Sequence, residues 1–206
     1  MKSILGRIKT PIPVMLMIFI VMLFVSCQAD FTETKSDTPD TGGTPVAVSP
    51  DTRDPARTLT PIEELGITGT TQDVDINKYR LPVSGLVGES LSLTYQAILG
   101  YPSVTEIVTL NCPGYFVDVA EWTGVPLMMI LEEAGIKPGA SQVKFYAVDG
   151  YRQTLSLEHV KKHGVFLAYE VYGQTLPPEH GYPLRLVDKG SYGSSWIKWL
   201  ERIEVE

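Results

Sequence analysis

The chain has 206 residues, with 17 basic against 24 acidic side chains, a net charge of −7 and a sequence pI near 5.0. Neutralising a phosphate backbone takes a basic face, so this balance excludes nucleic acid as a partner. The chain is long enough to bury one real core, and no internal repeat or sustained heptad points to a solenoid or a coiled coil.

Met1 to Thr10 carry Lys2, Arg7 and Lys9 with no acid, and Ile12 to Val25 are apolar throughout apart from Pro13. This is the pattern of a signal peptide over residues 1–26, with an apolar stretch too short to span a bilayer comfortably. It closes with Phe24-Val25-Ser26-Cys27, which resembles a bacterial lipobox, so Cys27 is the expected lipidation site and the mature N-terminus. An uncleaved anchor is the other reading, and both hold the protein at a membrane. Gln28 follows the cysteine where an aspartate is absent, which argues for retention at an inner membrane. The sequence therefore predicts an exported lipoprotein, anchored on the extracytoplasmic side. Residues 27–61 turn to Thr, Asp, Pro, Ser and Gly, a composition that buries too little apolar surface to offset its ordering entropy. They are predicted to be a lipidated, disordered tether, leaving residues 62–206 as the folded domain.

Within that domain Tyr79 to Val87 alternates Leu81 and Val83 with polar positions and reads as a strand, as does Ser90 to Leu93. Thr94 to Leu99 suits a helical turn ended by Gly100. Glu106 to Leu110 is rich in β-branched residues and runs into Cys112. Pro126 opens a helix with Leu127, Ile130, Leu131 and Ala134 at helical spacing, stopped by Gly135. Val143 to Val148 is a further strand, and Ser156 caps a short helix that ends near Gly164. Val165 to Val171 has the character of a buried strand. Leu184 to Val187, the Gly-Ser loop 190–195 and a last strand from Ile197 to Val205 complete the chain. Many strands, few helices and no alternating strand-helix order predict a β-rich α+β fold.

The sequence has two cysteines. If Cys27 is consumed by lipid, Cys112 has no partner for a disulfide, and it is either buried and inert or used. His159 and His163 stand four apart, a metal spacing, but no third ligand accompanies them and a solvated helix face is the simpler reading. Trp122, Trp196 and Trp199 suit core or loop packing. His180, Arg185 and Lys198 lie among glycines and prolines in an acidic chain. They are either an anion pocket or ordinary surface cations.

The segments "NCPGYFVDVAEWTGVPLMMILEEAGI", "VKFYAVDGY", "FLAYEVYGQTLPPEHGYPLRLV" and "GSYGSSWIKWLERIEVE" together resemble the molybdopterin-binding domain of the sulfite oxidase family, which includes the catalytic subunit of periplasmic methionine sulfoxide reductase. The likeness covers nearly all of Tyr79 to Glu206. It implies that Cys112 supplies the thiolate that binds molybdenum, a role suited to a soft sulfur. It implies that His180, Arg185 and Lys198, with the backbone of Trp196 and Ile197, contact the pterin and its phosphate, and that Asp149 lies at or near a further pterin contact. Tyr115, close to the metal position, is either a substrate or proton-transfer group or a packing aromatic.

The pattern also departs from the family. Sulfite oxidases place arginines shortly after the ligand cysteine, whereas here Pro113 to Val117 carry none. Sulfite is therefore disfavoured against a small sulfoxide or N-oxide. No CxxCH occurs, so a separate haem- or quinone-linked partner is implied for the electrons. The segment before Tyr79 shows no evident match to the family's N-terminal cofactor-contacting stretch, which implies a more open pocket. The basic N-terminal region offers only Arg7 where exported members carry twin arginines, which keeps open a cofactor-free binding or scaffold module that retains the fold.

Overall fold

The computed structural model describes residues 58–206. The signal peptide, Cys27 and most of the tether predicted above lie outside them.

Among the described residues two five-stranded sheets form the framework. The first runs in the order β2-β1-β10-β5-β6, from β1 (Leu81–Gly85), β2 (Leu91–Leu93), β5 (Gln142–Ala147), β6 (Arg152–Ser156) and β10 (Leu200–Val205). Its neighbours are antiparallel except β1 and β10, which run parallel with Val83 opposite Ile203. The second sheet is β3 (Val104–Cys112), β4 (Phe116–Pro126), β7 (Phe166–Val171) and β8 (Gln174–Thr175), with β9 (Arg185–Val187) pairing β7 on the same edge as β8. Three short helices accompany them, α1 (Tyr95–Leu99), α2 (Leu127–Ala134) and α3 (Leu157–His163). No helix among the described residues is long and apolar enough to cross a membrane. The predicted α+β class, dominated by sheet, is what the chain adopts.

Local chemistry explains the element ends. Ser156, the predicted cap, accepts a hydrogen bond from the His159 amide at 3.0 Å, and Thr94, read from the sequence only as the start of a helical turn, accepts one from the Ala97 amide at 3.0 Å, so each satisfies an orphan donor of the first turn. In α2 the predicted stripe Leu127, Ile130, Leu131 and Ala134 is wholly buried. Each of the three larger side chains contributes roughly 1.5–3 kcal/mol by leaving water.

β7 joins the two cores. Leu167 and Tyr169 point into a core shared with the first sheet, α2 and α3, while Phe166, Ala168 and Val171 point into a second core on the opposite face. A strand covered on both sides needs apolar residues at every position, which is why its sequence reads as a run instead of an alternation. The second core also takes Leu110 of β3, Ala120 and Trp122 of β4, and Trp196, with Cys112 packed at its margin.

Several boundaries differ from the sequence reading. The strand leading to Cys112 extends from Val104, and it forms a long hairpin with β4, whose residues carry no strand in the prediction. Pro126 ends β4 and precedes the helix, instead of lying inside its first turn. β6 was likewise unread, and the last strand starts at Leu200, because residues 197–199 form an irregular segment in which Trp199 holds a left-handed φ of 51°.

Candidate cofactor site

Cys112 is the last residue of β3, and the hairpin places its side chain on the same face as Leu110 and, across the ladder, Asp118. The thiol is free and half-buried at the wall of a cleft of about 500 Å³, within the size range of small-molecule sites. A parallel bridge between Asn111 and Tyr192 draws the loop before β10 against β3. At Gly193 in that loop an added Cβ would stand 2.0 Å from Cys112 Sγ, so only a bare Cα fits beside the sulfur. Burial pushes the thiol up, the Arg185 charge opposes it, Asp118 reinforces it, and the Gly193 amide donated to the sulfur draws it down again, as does Lys198.

Tyr115, Asp149, Trp196, Ile197 and Lys198 line the same cleft, so six of the residues singled out from the sequence converge on one place. Tyr115 is 83% exposed at the mouth. Asp149 accepts from the Tyr151 amide at 2.9 Å, in the turn between β5 and β6 that faces the Gly193 loop. The Lys198 ammonium lies 4.2 Å above the Trp199 ring and donates to the carbonyls of Thr68 and of Glu179. Burial, then the Arg185 charge, brings its pKa down to about 8.

His180 and Arg185 are not on the cleft wall. Both are buried, and the Arg185 guanidinium packs against Trp122 and Trp196, 5.1 and 5.5 Å from their ring centroids. It donates to the His180 carbonyl at 3.3 Å, while its Nε has no acceptor among the described residues. Burial lowers its pKa to about 10 against the pull of Cys112 and Asp118, and burial with the Arg185 charge lowers His180 to about 4. A neutral His180 therefore sits beside a buried cation at neutral pH.

Three features were not legible in the sequence. Thr68 and Gly69 line the cleft, contributed by an arm that precedes β1. Thr60, assigned above to the tether, exchanges backbone and hydroxyl hydrogen bonds with Val119, and its carbonyl accepts from the Tyr172 hydroxyl. Asp118 is 4% exposed and accepts from the Gly66 amide at 2.7 Å. Only the Gly-Ser composition of residues 190–195 hinted at the close approach by Gly193. His159 and His163 form no metal site, and among the described residues no cluster of metal-ligating side chains occurs. The solvated-face reading is also corrected, since His159 Nε2 lies 2.6 Å from a carboxylate oxygen of the fully buried Asp188 and the two imidazoles stack at 4.4 Å.

A half-buried thiol on the wall of a cleft, with one cation beside it and another behind it, suits a soft metal carried by an anionic organic group. Comparison with known proteins identifies that group. Residues 68–206 match the family model of the oxidoreductase molybdopterin binding domain. The chain is 31% identical over 164 residues to mitochondrial sulfite oxidase of Rattus norvegicus, covering 65% of this chain and 30% of that protein. It is 31% identical over 145 residues to the protein-methionine-sulfoxide reductase catalytic subunit MsrP of Gluconobacter oxydans, covering 62% and 46%. The crystal structure of the sulfane dehydrogenase SoxCD from Paracoccus pantotrophus superposes at a TM-score of 0.62 with 29% identity, over 66% of this chain and 40% of that one. The chain thus spans less than half the length of each of these relatives.

The chain belongs to the molybdopterin-binding oxidoreductase family that includes sulfite oxidase and MsrP, and its cofactor is the molybdenum cofactor. The match begins at residue 68 and takes in the cleft-lining Thr68 and Gly69, so the arm before Tyr79 belongs to the site. The residues present fit the group. Cys112 offers a soft donor at the cleft, Gly193 leaves the sulfur unobstructed by a side chain, and the buried Nε of Arg185 lacks an acceptor.

Proposed function

We propose that this protein catalyses two-electron oxygen-atom transfer on a small neutral substrate, with sulfoxide or N-oxide reduction as the physiological direction. The reduction consumes two electrons and two protons, cleaves the S–O bond of a sulfoxide or the N–O bond of an N-oxide to leave a lone pair on sulfur or nitrogen, and releases the oxygen as water. The observation that carries the reading is the composition of the cleft around Cys112. Among the described residues lining it, Lys198 is the one cation, and with that charge assigned to the cofactor phosphate no second positive side chain remains there for an oxyanion substrate.

When bound, the molybdenum cofactor supplies the two-electron couple and the acceptor or donor of the oxygen atom. Cys112 would hold the metal through its thiolate. Lys198, with the backbone of Trp196 and Ile197, would hold the pterin and its phosphate, and Arg185 and His180 would supply a cation and a neutral imidazole behind that wall. Asp149 orients the β5–β6 turn against the cleft. The Tyr115 hydroxyl, exposed at the mouth, is the group we assign to deliver a proton to the departing oxygen. Trp199 also lines the cleft.

The electrons would come from a separate haem- or quinone-linked partner. The name of one relative, a catalytic subunit, supports a division of labour of this kind. We further infer that Cys27 is lipidated and that the domain works on the extracytoplasmic side of a membrane.

Molybdenum analysis of the protein purified from its native membranes tests the reading, together with turnover of sulfoxides and N-oxides by an artificial reductant and of sulfite by an artificial oxidant. One molybdenum per chain and sulfoxide or N-oxide turnover are expected. A metal-free protein from cofactor-competent cells would establish the alternative binding module. Efficient sulfite oxidation would overturn the substrate assignment.

A further inference from the structure

We propose that Tyr151 and Gln153 are positioning residues that press the Gly193 amide onto the Cys112 sulfur and so set how strongly that sulfur donates to a bound metal. The inference rests on the reading of Cys112 as the molybdenum ligand.

The Gly193 Cα stands so close to the thiol that a Cβ would meet Sγ at 2.0 Å, and the Gly193 amide is among the groups that draw the thiol down. The short turn that carries this amide, Gly193–Ser195, has an exposed Tyr192 before it and an exposed Ser194 within it. A turn of this composition has little apolar surface of its own to anchor it. Its restraint comes from the other sheet. The Tyr151 hydroxyl donates to the Ser194 carbonyl at 2.8 Å, and Gln153 Nε2 donates to the same oxygen at 3.4 Å. Tyr151 is held in turn by the bond from its amide to Asp149. The Asn111–Tyr192 bridge fastens the other end of the turn to β3. The Gly193 amide is thus clamped between a strand that carries the cysteine and a hairpin that carries two side-chain donors.

Partners of a metal ligand tune the metal, and an N–H donated to a thiolate withdraws charge from the sulfur. Weaker donation favours the reduced metal and raises the potential. Loosening the turn therefore makes the sulfur a stronger donor and lowers the potential, a change that a purely structural role for Tyr151 does not produce.

Tyr151→Phe keeps the ring and removes the bond to Ser194. In the molybdenum-loaded full chain it is expected to retain the wild-type molybdenum content, to lower the midpoint potential of the molybdenum couple, and to move the thiolate-to-molybdenum charge-transfer band to longer wavelength. Gln153→Ala is expected to shift both in the same direction by less. An unaltered potential and band in Tyr151→Phe at full molybdenum content would overturn the inference. If Tyr151→Phe loses the metal, unaltered values in Gln153→Ala overturn it instead. Persistence of the wild-type band in a molybdenum-loaded Cys112→Ser variant would overturn the ligand reading itself, which separates the two failures.

Discussion

Lys198 donates from its ammonium to the carbonyl oxygen of Thr68, which ties a cation lining the cleft to the arm that closes its side. The same arm is fixed upstream by Gly66, whose amide bonds Asp118 and whose missing side chain leaves room for the Phe116 ring, 2.2 Å from where a Cβ would be. The open pocket expected from the sequence is therefore walled by a segment with no regular secondary structure over 66–69.

Lys198 should leave a pH signature in the cofactor-free protein. Its pKa in the folded state is about 8 against an ordinary 10.5. Between those values the unfolded chain holds a proton that the folded chain has released, so unfolding free energy rises with pH. Above pH 9 the raised Cys112 thiol contributes the opposite slope. Urea titrations between pH 8 and 9 are expected to show increasing stability in the wild type and a flatter dependence in Lys198→Met. Cofactor retention should run the other way, falling as pH rises through about 8 in the wild type, because the charge that faces the phosphate is lost. Molybdenum content after gel filtration at pH 7 and pH 9 checks this.

Asp118 should act as the catch for the arm. Its carboxylate is buried and raised by that burial, with the Gly66 amide and the Arg185 charge opposing. Asp118→Asn keeps an oxygen to accept from Gly66 and removes the buried charge, so it is expected to preserve the arm and the stability. Asp118→Ala leaves the amide unpaired and is expected to cost about 1–3 kcal/mol. Hydrogen exchange of the amides from Ile62 to Gly69 is the readout, accelerated in the alanine variant and near wild type in the asparagine one.

Arg185 separates cofactor binding from folding. A fully desolvated guanidinium against two indoles, with no carboxylate in ion-pair contact among the described residues, has no charge partner through which to hold the fold. Replacing such a charge by an apolar chain of similar length is often neutral or stabilising. Arg185→Met is expected to keep or raise the denaturation midpoint of the cofactor-free protein while reducing its molybdenum content at least tenfold. Loss of fold and cofactor together would mark the arginine as a packing element.

How much of this was legible follows from where each signal resides. The Ser156 cap, the α2 stripe and the continuous run of β7 were readable because local periodicity and capping chemistry fix them. β4 was not, because its central residues Val119 and Ala120 are both buried, and the chain slips register between Thr123 and Gly124, which erases the alternation a strand is recognised by. Cys112, Lys198 and the Gly-Ser loop stood out through the family likeness and unusual composition. The arm did not, since its order comes from Val119, Asp118 and Lys198, all remote in sequence and invisible to composition. Arg185 was legible as a residue of the site but not as a buried one, because that depends on the two tryptophans that β4 and the Gly193 loop bring around it.

His159 holds a buried carboxylate, and its removal should show that as instability. Asp188 is fully buried, with one oxygen 2.6 Å from His159 Nε2 and the other without a partner among the described residues. Its backbone carbonyl also accepts from the Trp196 indole at 2.9 Å, so the pair stands directly behind the cleft wall. His159→Ala strands the carboxylate and is expected to cost about 3 kcal/mol. The double variant His159→Ala with Asp188→Asn should recover part of that loss, because the stranded charge is gone. His163→Ala removes only the stacked ring and is expected to cost under about 1 kcal/mol. Urea midpoints at a common m-value measure all three. Equal losses in His159→Ala and His163→Ala, with no recovery in the double variant, would assign the effect to helix packing instead of to the His159–Asp188 hydrogen bond.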